Sequence, residues 1–358
     1  MKGWEGNNKS GVFNLYNIGG NGEKIKIMKT IAVTGGAGFI GSHLCEALLK
    51  QGNKVIIIDN FNNFYPKEIK ESNILEIQKF CEDNQIHQSN LLLYREDILR
   101  IDTVEKIFEE NDVNVVVHLA AYAGVRPSID QPRLYYDVNI GGTLNILECM
   151  KKYNVDKMIF ASSSSVYGNN KKIPFSEEDS VDNPISPYAA TKKSGELLCH
   201  TYHELYGISI ACLRFFTVFG PRQRPDLAIH KFTKLIMEGK QVPFFGDGST
   251  RRDYTYITDI INGINKAIIW VCSQERRFDI FNLGESNTIS LEYMVNTIER
   301  ALNKKAMLNK LPRQPGDVEI TNADITKSVK TLGYSPQTNF EEGIKNFIEW
   351  YKFFNQVN

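Results

Sequence analysis

The sequence predicts an α/β fold: a doubly wound parallel sheet followed by a smaller C-terminal α/β lobe. Three observations predict it. Strand patterns alternate with helical patterns from residue 28 to residue 216, a glycine-rich turn follows the first strand, and from residue 217 the chain becomes irregular and richer in Pro, Gly and Arg. Such alternation indicates parallel strands whose carboxyl ends bind ligands.

The first organised segment, KTIAVTGGAGFIGSHLCEALLKQGNKVIIID, predicts one βαβ unit that ends at Asp59. Apolar runs at 113–121, 157–163 and 208–216 predict further strands, and YYDVNIGGTLNILECMKKY predicts a helix between two of them. This pattern is typical of a Rossmann-type sheet.

The same patterns divide the chain into domains. We predict a Rossmann domain over 28–216, which residues 253–283 rejoin, and a substrate-binding lobe made of 217–252 and 284–358. Residues 1–27 are rich in Gly and Asn and lack the apolar core of a secretory signal, so they are interpreted as a disordered extension or an expression remnant.

Composition excludes several classes of function. The 42 basic residues equal the 42 acidic ones, so no excess positive charge favours nucleic acid or an anionic membrane surface. No apolar run reaches the length of about 18 residues that a membrane span needs. The six cysteines show no C-x-x-C spacing, which indicates reduced cysteines and a cytoplasmic protein.

The glycine turn is the first chemical motif. Gly35, Gly38 and Gly41 follow the spacing G-x-x-G-x-x-G between a strand and a helix, where backbone N–H groups can approach a pyrophosphate. Asp59 ends the next strand and is placed to accept hydrogen bonds from a ribose. No Arg or Lys flanks Asp59 directly, so NAD is predicted rather than NADP. A glycine turn needed only for packing is the alternative.

The second motif is YAATK, which places Tyr188 and Lys192 four residues apart on a predicted helix. This spacing puts both side chains on one face, so an ammonium can lie beside a phenol. Lowering a phenol pKa from about 10 to about 7 needs about 4 kcal/mol, which Lys192 and a nicotinamide cation could supply together. Taken alone, the same pattern is common on solvated helices.

The motifs TGGAGFIG, SSVYG and YAATK, in this order, resemble the extended short-chain dehydrogenase/reductase family of NAD-dependent nucleotide-sugar epimerases and dehydratases. The resemblance covers the chain from Met28 onward. It implies a tightly bound NAD that is regenerated in each turnover, and it implies that Ser163 shares proton transfer with Tyr188. The predicted cofactor contacts are Gly35, Gly38, Phe39, Ile40, Gly41, Asp59, Asn60, Asp97, Ile98, Ala120, Ala121, Asn139, Tyr188, Lys192 and Phe215.

In that family, Tyr188 would take a proton from the sugar 4-hydroxyl while a hydride leaves C4. Dehydratases and decarboxylases carry an acidic residue in the segment that Ser163, Ser164 and Ser165 occupy here. Hydroxyls do not readily abstract a C5 proton, so the resemblance implies that the 4-keto sugar turns and regains its hydride on the other face.

The stretch AAYAGVRPSIDQPRLYYDVNIGGTLNILE and the loop GPRQRPD resemble the UDP-glucuronate 4-epimerases of the family. The resemblance implies a substrate with a C5 carboxylate, bound by Ser128, Ser164, Ser165 and Arg224. Such donors would also keep the intermediate, a β-keto acid, from losing CO₂. Alternatively, the serines are small residues beneath the nicotinamide, and Arg224 binds a carbonyl or a phosphate.

The resemblance also places the nucleotide half of a UDP-sugar. Arg252 and Arg313 would meet the pyrophosphate, with Arg251 as the alternative to Arg252, and Asp317 would meet the ribose. Val242 and Phe244, or Phe245, would line a uracil pocket. Thr217 stands where many relatives have Asn. His200 and His203 have no evident third partner, so no metal is predicted.

Family members usually dimerise through two helices, which here would span 134–152 and 187–206. The apolar residues compatible with such a seam are Leu144, Ile146, Leu147, Leu197 and Leu198. Three other functions stay open: an epimerase of neutral or N-acetylated UDP-hexoses, a dehydratase or decarboxylase, and a sensor that holds NAD without turnover. The intact set of Ser163, Tyr188 and Lys192 favours an enzyme over the sensor.

Overall fold

The structure is a computed structural model that describes residues 16–18, 24–26, 28–312 and 318–355. The strands, in chain order, are β1 (Tyr16–Ile18), β2 (Lys24–Lys26), β3 (Thr30–Thr34), β4 (Lys54–Ile58), β5 (Leu91–Tyr94), β6 (Val115–His118), β7 (Lys157–Ser163), β8 (Ser209–Phe215), β9 (Thr217–Phe219), β10 (Gln241–Phe245), β11 (Arg251–Tyr256), β12 (Phe278–Leu283), β13 (Thr288–Ser290) and β14 (Met307–Leu311). Within the predicted 1–27 extension, β1 and β2 pair antiparallel, and its other residues lie outside the described ones.

Helices connect most of these strands. They are α1 (Phe39–Lys50), α2 (Lys67–Asp83), α3 (Ile101–Glu110), α4 (Val125–Asp130), α5 (Pro132–Tyr136), α6 (Thr143–Lys152), α7 (Pro187–Tyr206), α8 (Ala228–Met237), α9 (Ile257–Ser273), α10 (Leu291–Leu302), α11 (Thr326–Leu332) and α12 (Phe340–Phe354). A π-helical turn over Asp137–Gly142 joins α5 to α6, and 3₁₀ turns lie at Gln88–Asn90 and Ser164–Tyr167.

The central sheet has seven parallel strands in the order β12-β8-β7-β6-β3-β4-β5. Its strands β3, β4 and β6 are short apolar runs rich in Val and Ile because both faces of the sheet are covered. Within β3, Ile31 and Val33 pack with α1, α2 and α9, whereas Ala32 packs with α3, α6 and α7. This arrangement confirms the predicted doubly wound, Rossmann-type α/β fold.

The remaining strands form two small sheets beside the main one. β10 pairs in parallel with β14, and β11 lies between β9 and β13. Side chains of α8, α10 and α12 continue the apolar cluster that begins on one face of the central sheet. After α9, the strand β12 returns to the central sheet beside β8. The division of the chain into domains stays a prediction.

Two features of this topology position the site. The strand order reverses at β3, between β4 and β6, so a crevice opens at the carboxyl ends of β3 and β6. A cavity of about 990 Å³ occupies this crevice and extends to residues of β10 and β11. Its volume is at the upper end of the range of small-molecule and cofactor sites.

Candidate active site

The glycine turn forms one end of the cavity. Gly35 has φ +72°, and a side chain there would approach the Ala120 backbone nitrogen to 2.9 Å. A Cβ at Gly41 would lie 2.2 Å from the Gly35 carbonyl oxygen, so α1 packs against the turn without space for one. The N-cap, Gly38, has no side chain to cap the helix, which leaves the first amides of α1 for an anion. The turn fits a dinucleotide pyrophosphate.

Asp59 lies at the end of β4 and is 7% exposed. Its carboxylate accepts hydrogen bonds from the backbone nitrogens of Ala37 (3.1 Å) and Phe61 (2.9 Å). Lys70 of α2 lies 3.7 Å away and also lines the cavity. Sequence reasoning missed Lys70, because nothing in its local pattern places it beside a residue eleven positions earlier.

The predicted cofactor contacts do not all reach the cavity. Those that line it are Gly35, Gly38, Phe39, Ile40, Gly41, Asp59, Asn60, Ile98, Ala120, Ala121, Tyr188, Lys192 and Phe215. Asp97 and Asn139 are not among the lining residues. The Asp97 carboxylate accepts from the Asn60 amide (2.8 Å) and the Leu99 backbone nitrogen (2.9 Å), so it supports a lining residue.

Asn139 is 3% exposed and belongs to the π-helical turn. Its amide accepts from the Tyr122 nitrogen at 2.8 Å and donates to the Tyr122 oxygen at 3.0 Å. It also donates to the Thr191 hydroxyl at 3.0 Å. Asn139 therefore fastens the segment after β6 to α7, and the direct cofactor contact that we predicted is replaced by a supporting one.

Tyr188, Lys192 and Ser163 line the same cavity, and a side-chain hydrogen bond joins Tyr188 to Ser163. Helix α7 starts at Pro187, and its N-cap Ser186 accepts a hydrogen bond from the Ala189 nitrogen at 3.1 Å, so Tyr188 sits in the first turn. The Lys192 amine donates to the Ala161 carbonyl oxygen at 2.8 Å and lies 6.0 Å from the centre of the Tyr188 ring. The i, i+4 spacing thus brings the two groups together.

Burial governs the titration of both groups. It lowers the pKa of Lys192 to about 8, because the charged amine loses water. It raises the pKa of Tyr188, while a hydrogen bond with Ser163 and the positive charge of Arg224 act in the opposite direction. Tyr188 is therefore a neutral phenol in this state, and it needs further positive charge to ionise near neutral pH.

The four serines of the row Ser162–Ser165 all line the cavity, but their hydroxyls have different partners. Ser162 donates to Glu196 at 2.6 Å, and Arg214 holds the same carboxylate at 2.8 and 2.9 Å. Ser165 approaches the Ser163 hydroxyl with its backbone nitrogen (3.1 Å) and its own hydroxyl (3.0 Å). Sequence reasoning missed the buried Glu196–Arg214 pair.

Arg224 brings positive charge to the same region. Its Nε and Nη2 donate to the two carboxylate oxygens of Asp226 at 3.0 and 2.7 Å, and the guanidinium lies 5.0 Å from the centre of the Phe64 ring. Asp226 lines the cavity and was missed, although it follows Arg224 by two residues. Ser128 is completely buried and donates to the Val125 carbonyl oxygen at 2.5 Å, so the structure does not bring it into the cavity.

The far end of the cavity contains Thr217 and Arg252. Arg251 is directed elsewhere, because its guanidinium bonds the Thr288 hydroxyl at 2.6 Å and the Thr288 carbonyl oxygen at 2.5 Å. Arg252 is therefore the arginine of this pair that lines the cavity. Arg313 and Asp317 lie outside the described residues.

The prediction of Val242 and Phe244 as lining residues is wrong. Both are buried in the apolar core, whereas their neighbours Pro243 and Phe245 line the cavity. Successive residues of a strand face opposite sides, so a shift of one position exchanges the two sets. Phe245, the alternative, is the aromatic residue that reaches the cavity.

Among the described residues, no helix is both long and apolar enough to cross a membrane. No group of three or more His, Cys, Asp or Glu side chains in this part of the chain could hold a metal ion. His203 instead bonds the Ile208 carbonyl oxygen at 2.9 Å and packs against Phe278, beside which His200 also lies.

Comparison with known proteins extends these observations. Residues 32–347 match the sequence model of a family described as GDP-mannose 4,6 dehydratase. A UDP-glucuronate 4-epimerase from Thermodesulfobacterium geofontis is 43% identical over 321 residues, which make up 89% of this chain and 95% of that protein.

Solved structures agree with the sequence comparison. The Bacillus cereus UDP-glucuronic acid 4-epimerase in complex with UDP-glucuronic acid and NAD is 39% identical, with a TM-score of 0.81 over 91% of this chain and 99% of that one. The Thermotoga maritima UDP-glucose 4-epimerase with UDP-glucose is 31% identical, with a TM-score of 0.80 over 91% and 99%. Since the family model spans most of the chain and these relatives share both sequence and fold with it, the chain belongs to the NAD-dependent epimerase and dehydratase family.

Proposed function

We propose that this chain is an NAD-dependent 4-epimerase, an isomerase that interconverts UDP-glucuronate and UDP-galacturonate. The observation that carries the proposal is the meeting of Ser163, Tyr188 and Lys192 with Arg224 in one cavity, which begins at a dinucleotide-type glycine turn. The similarity to epimerases solved with UDP-glucuronic acid and NAD supports the same substrate and cofactor.

The cofactor site has the features that NAD requires. The glycine turn leaves no space for a Cβ at two positions, and Asp59 is held at the end of β4, where a ribose would lie. When bound, NAD supplies a hydride acceptor at the sugar C4 and returns the hydride later. Lys70 lies 3.7 Å from Asp59 and forms an ion pair with this carboxylate.

Tyr188 acts as the base for the sugar 4-hydroxyl, and Ser163 relays the proton through its hydrogen bond with Tyr188. Because burial raises the pKa of Tyr188, the phenolate needs nearby positive charge. Arg224 contributes some of that charge. Lys192, held by the Ala161 carbonyl oxygen, would add further positive charge in its protonated form. The same groups return the proton after the sugar has turned.

The substrate carboxylate would meet Ser164, Ser165 and Arg224. Asp226 accepts from the Nε and from one N–H of the Nη2 of Arg224, so a carboxylate would bind through Nη1 and the remaining Nη2 N–H, beside an existing ion pair. Holding the carboxylate in the plane of the C4 carbonyl keeps the C–CO₂ bond out of line with the π system, which suppresses decarboxylation. No acidic residue lies between Ser162 and Ser165, and this favours simple return of the hydride over elimination of water.

The test is a proton NMR time course of the purified protein with UDP-glucuronate and no added NAD, with Tyr188→Phe as the control. Appearance of UDP-galacturonate, with none in the control, supports the proposal. Conversion of UDP-glucose or UDP-N-acetylglucosamine instead would keep the 4-epimerase and reject the uronate. Release of CO₂ from UDP-glucuronate would replace the epimerase with a decarboxylase, and a 4-keto-6-deoxy product from UDP-glucose would replace it with a dehydratase.

We also propose a cytoplasmic homodimer. Leu144 on α6 and Leu197 on α7 are 39% and 57% exposed, whereas Ile146 and Leu147 are buried against the sheet. Of these four residues, only Leu144 and Leu197 are exposed enough to contact a second subunit in the proposed dimer. The six cysteines are free, which suits a reducing compartment. Light scattering of the wild type and of Leu197→Glu tests the dimer, since a charge in the seam should yield monomers.

A further inference from the structure

Arg222 lies in the loop that carries Arg224, but its side chain does not line the cavity. The loop connects β9 to α8, and its residues Gln223, Arg224 and Asp226 do line the cavity. The Arg222 side chain is 8% exposed and pairs with two carboxylates: Nε and Nη2 contact Glu76 at 2.7 and 2.6 Å, and Nη2 contacts Glu46 at 2.6 Å. The proposed mechanism gives this buried ion-pair cluster no role.

The cluster attaches the loop to helices α1 and α2. Glu46 belongs to α1, which begins directly after the glycine turn, and Glu76 belongs to α2. One turn before Glu46, the Nε2 atom of His43 lies 3.0 Å from the Pro221 carbonyl oxygen. Burial lowers the pKa of His43 to about 3, so this ring is neutral and donates a hydrogen bond to the carbonyl. The loop is thus held to α1 and α2 at three points.

The backbone of Arg222 depends on this attachment. Its φ is +62°, in the left-handed region that residues with a Cβ rarely adopt. A guanidinium shared by two carboxylates can hold this conformation. On the other side, the Gln223 side-chain amide donates to the Val218 carbonyl oxygen at 3.1 Å, and the Gln223 backbone carbonyl oxygen accepts from His230 at 2.6 Å. Arg224 therefore follows a stretch of loop that is fixed from both sides.

We infer that Arg222 is a positioning residue that sets the place of the Arg224 guanidinium and thereby the preference for a nucleotide sugar that bears a carboxylate. The inference rests on the proposed function, in which Arg224 binds the uronate. Arg222 touches neither ligand, so it acts only through Arg224. Its loss should weaken recognition of the carboxylate and leave recognition of the rest of the UDP-sugar intact.

The test compares the dissociation constants of UDP-glucuronate and UDP-glucose for the holoenzyme by titration calorimetry. Wild type should bind the uronate at least about tenfold more tightly, as expected for one charged hydrogen bond. Arg222→Met should reduce this preference roughly tenfold and change the affinity for UDP-glucose by less than about twofold. Arg224→Met should remove the preference, and adding Arg222→Met to it should cause no further loss, because one residue acts through the other.

Two more variants keep the test decisive. Glu76→Gln removes the charge of one partner of Arg222 and should reduce the preference for UDP-glucuronate by a smaller factor. This variant takes the place of Arg222→Met if Arg222→Met does not fold. Lys305→Met is the matched control: it removes the ion pair between Lys305 and Glu299. Because the Lys305 side chain is 90% exposed, this variant should change the affinity for neither UDP-glucuronate nor UDP-glucose.

An unchanged preference, an equal loss for both ligands, or additive losses in the double variant would overturn the inference and leave the proposed function standing. Equal affinity of the wild type for UDP-glucuronate and UDP-glucose would overturn the proposed uronate specificity, and the inference with it.

Discussion

Replacing Lys192 by Met should stabilise the protein near pH 7 while it abolishes activity. The Lys192 side chain is buried at 5% exposure, and Met preserves much of its aliphatic packing. The amine has a pKa of about 8 because burial disfavours its charged form. The protein therefore carries a charge at pH 7 that costs folding free energy, and the proposed chemistry explains why it is retained.

The magnitude follows from the pKa. A fall from 10.5 to about 8 corresponds to about 3 kcal/mol of folding free energy. The substitution also removes the hydrogen bond to the Ala161 carbonyl oxygen, which stabilises by about 1 to 2 kcal/mol. We therefore expect a net gain of about 1 to 2 kcal/mol at pH 7. Because the folded pKa is the lower one, the cost is complete below about pH 8 and disappears as the pH rises towards 10.5.

The assay is urea unfolding of nucleotide-free protein at pH 7 and pH 10, followed by circular dichroism. The variant should be more stable than the wild type at pH 7 and lose this advantage at pH 10. Lys345→Met is the control, since Lys345 is 73% exposed on α12 and should show little change at either pH. If Lys192→Met is less stable than the wild type at pH 7, or more stable by the same amount at pH 7 and pH 10, the lowered pKa of Lys192 is refuted.

Three further predictions concern the cavity and the core. Tyr188→Phe should reduce epimerisation about a thousandfold and leave the dissociation constant of UDP-glucuronate nearly unchanged, whereas measurable turnover at the wild-type rate would exclude Tyr188 as the base. Phe245→Ala should raise the KM for the UDP-sugar without a large loss of stability. Val242→Ala should lower the free energy of unfolding by about 2 kcal/mol without raising KM. The reverse pattern would contradict the register of β10. Burial raises the pKa of Glu285 from 4.5 to about 8, so this group costs stability progressively as the pH rises through that range, and the cost is complete above about pH 8. Glu285→Gln should melt higher than the wild type at pH 9 but not at about pH 4, and calorimetry showing no pH dependence would reject this.

Features that depend on local spacing could be predicted from the sequence. The glycine turn, the acid at the end of β4 and the helix that carries Tyr188 and Lys192 all lie within short segments. The strand predicted at 157–163 has the same bounds in the structure. Periodicity and i, i+4 spacing act over a few residues, so the printed sequence contains all of that information.

Features that depend on how elements pack could not be predicted in this way. Lys70 reaches Asp59 from α2, and Arg222 reaches Glu46 and Glu76, which lie 176 and 146 residues earlier in the chain. Neither pairing leaves a local pattern. The residues proposed for a uracil pocket, Val242 and Phe244 or Phe245, lie on β10, and a single residue of register decides which of their side chains line the cavity.

The four consecutive serines contact different groups because the chain changes direction at the end of β7. Successive residues of a strand face opposite ways, so Ser162 bonds the buried Glu196, whereas Ser163 bonds Tyr188 in the cavity. The 3₁₀ turn that follows carries Ser164 and Ser165 along the cavity wall. A carboxylate in the place of Ser162 would lie against Glu196, and one in the place of either later serine would repel the uronate that we propose as substrate. A small neutral hydroxyl suits every one of these positions, which explains why a single residue type recurs where neither an acid nor an apolar side chain would serve.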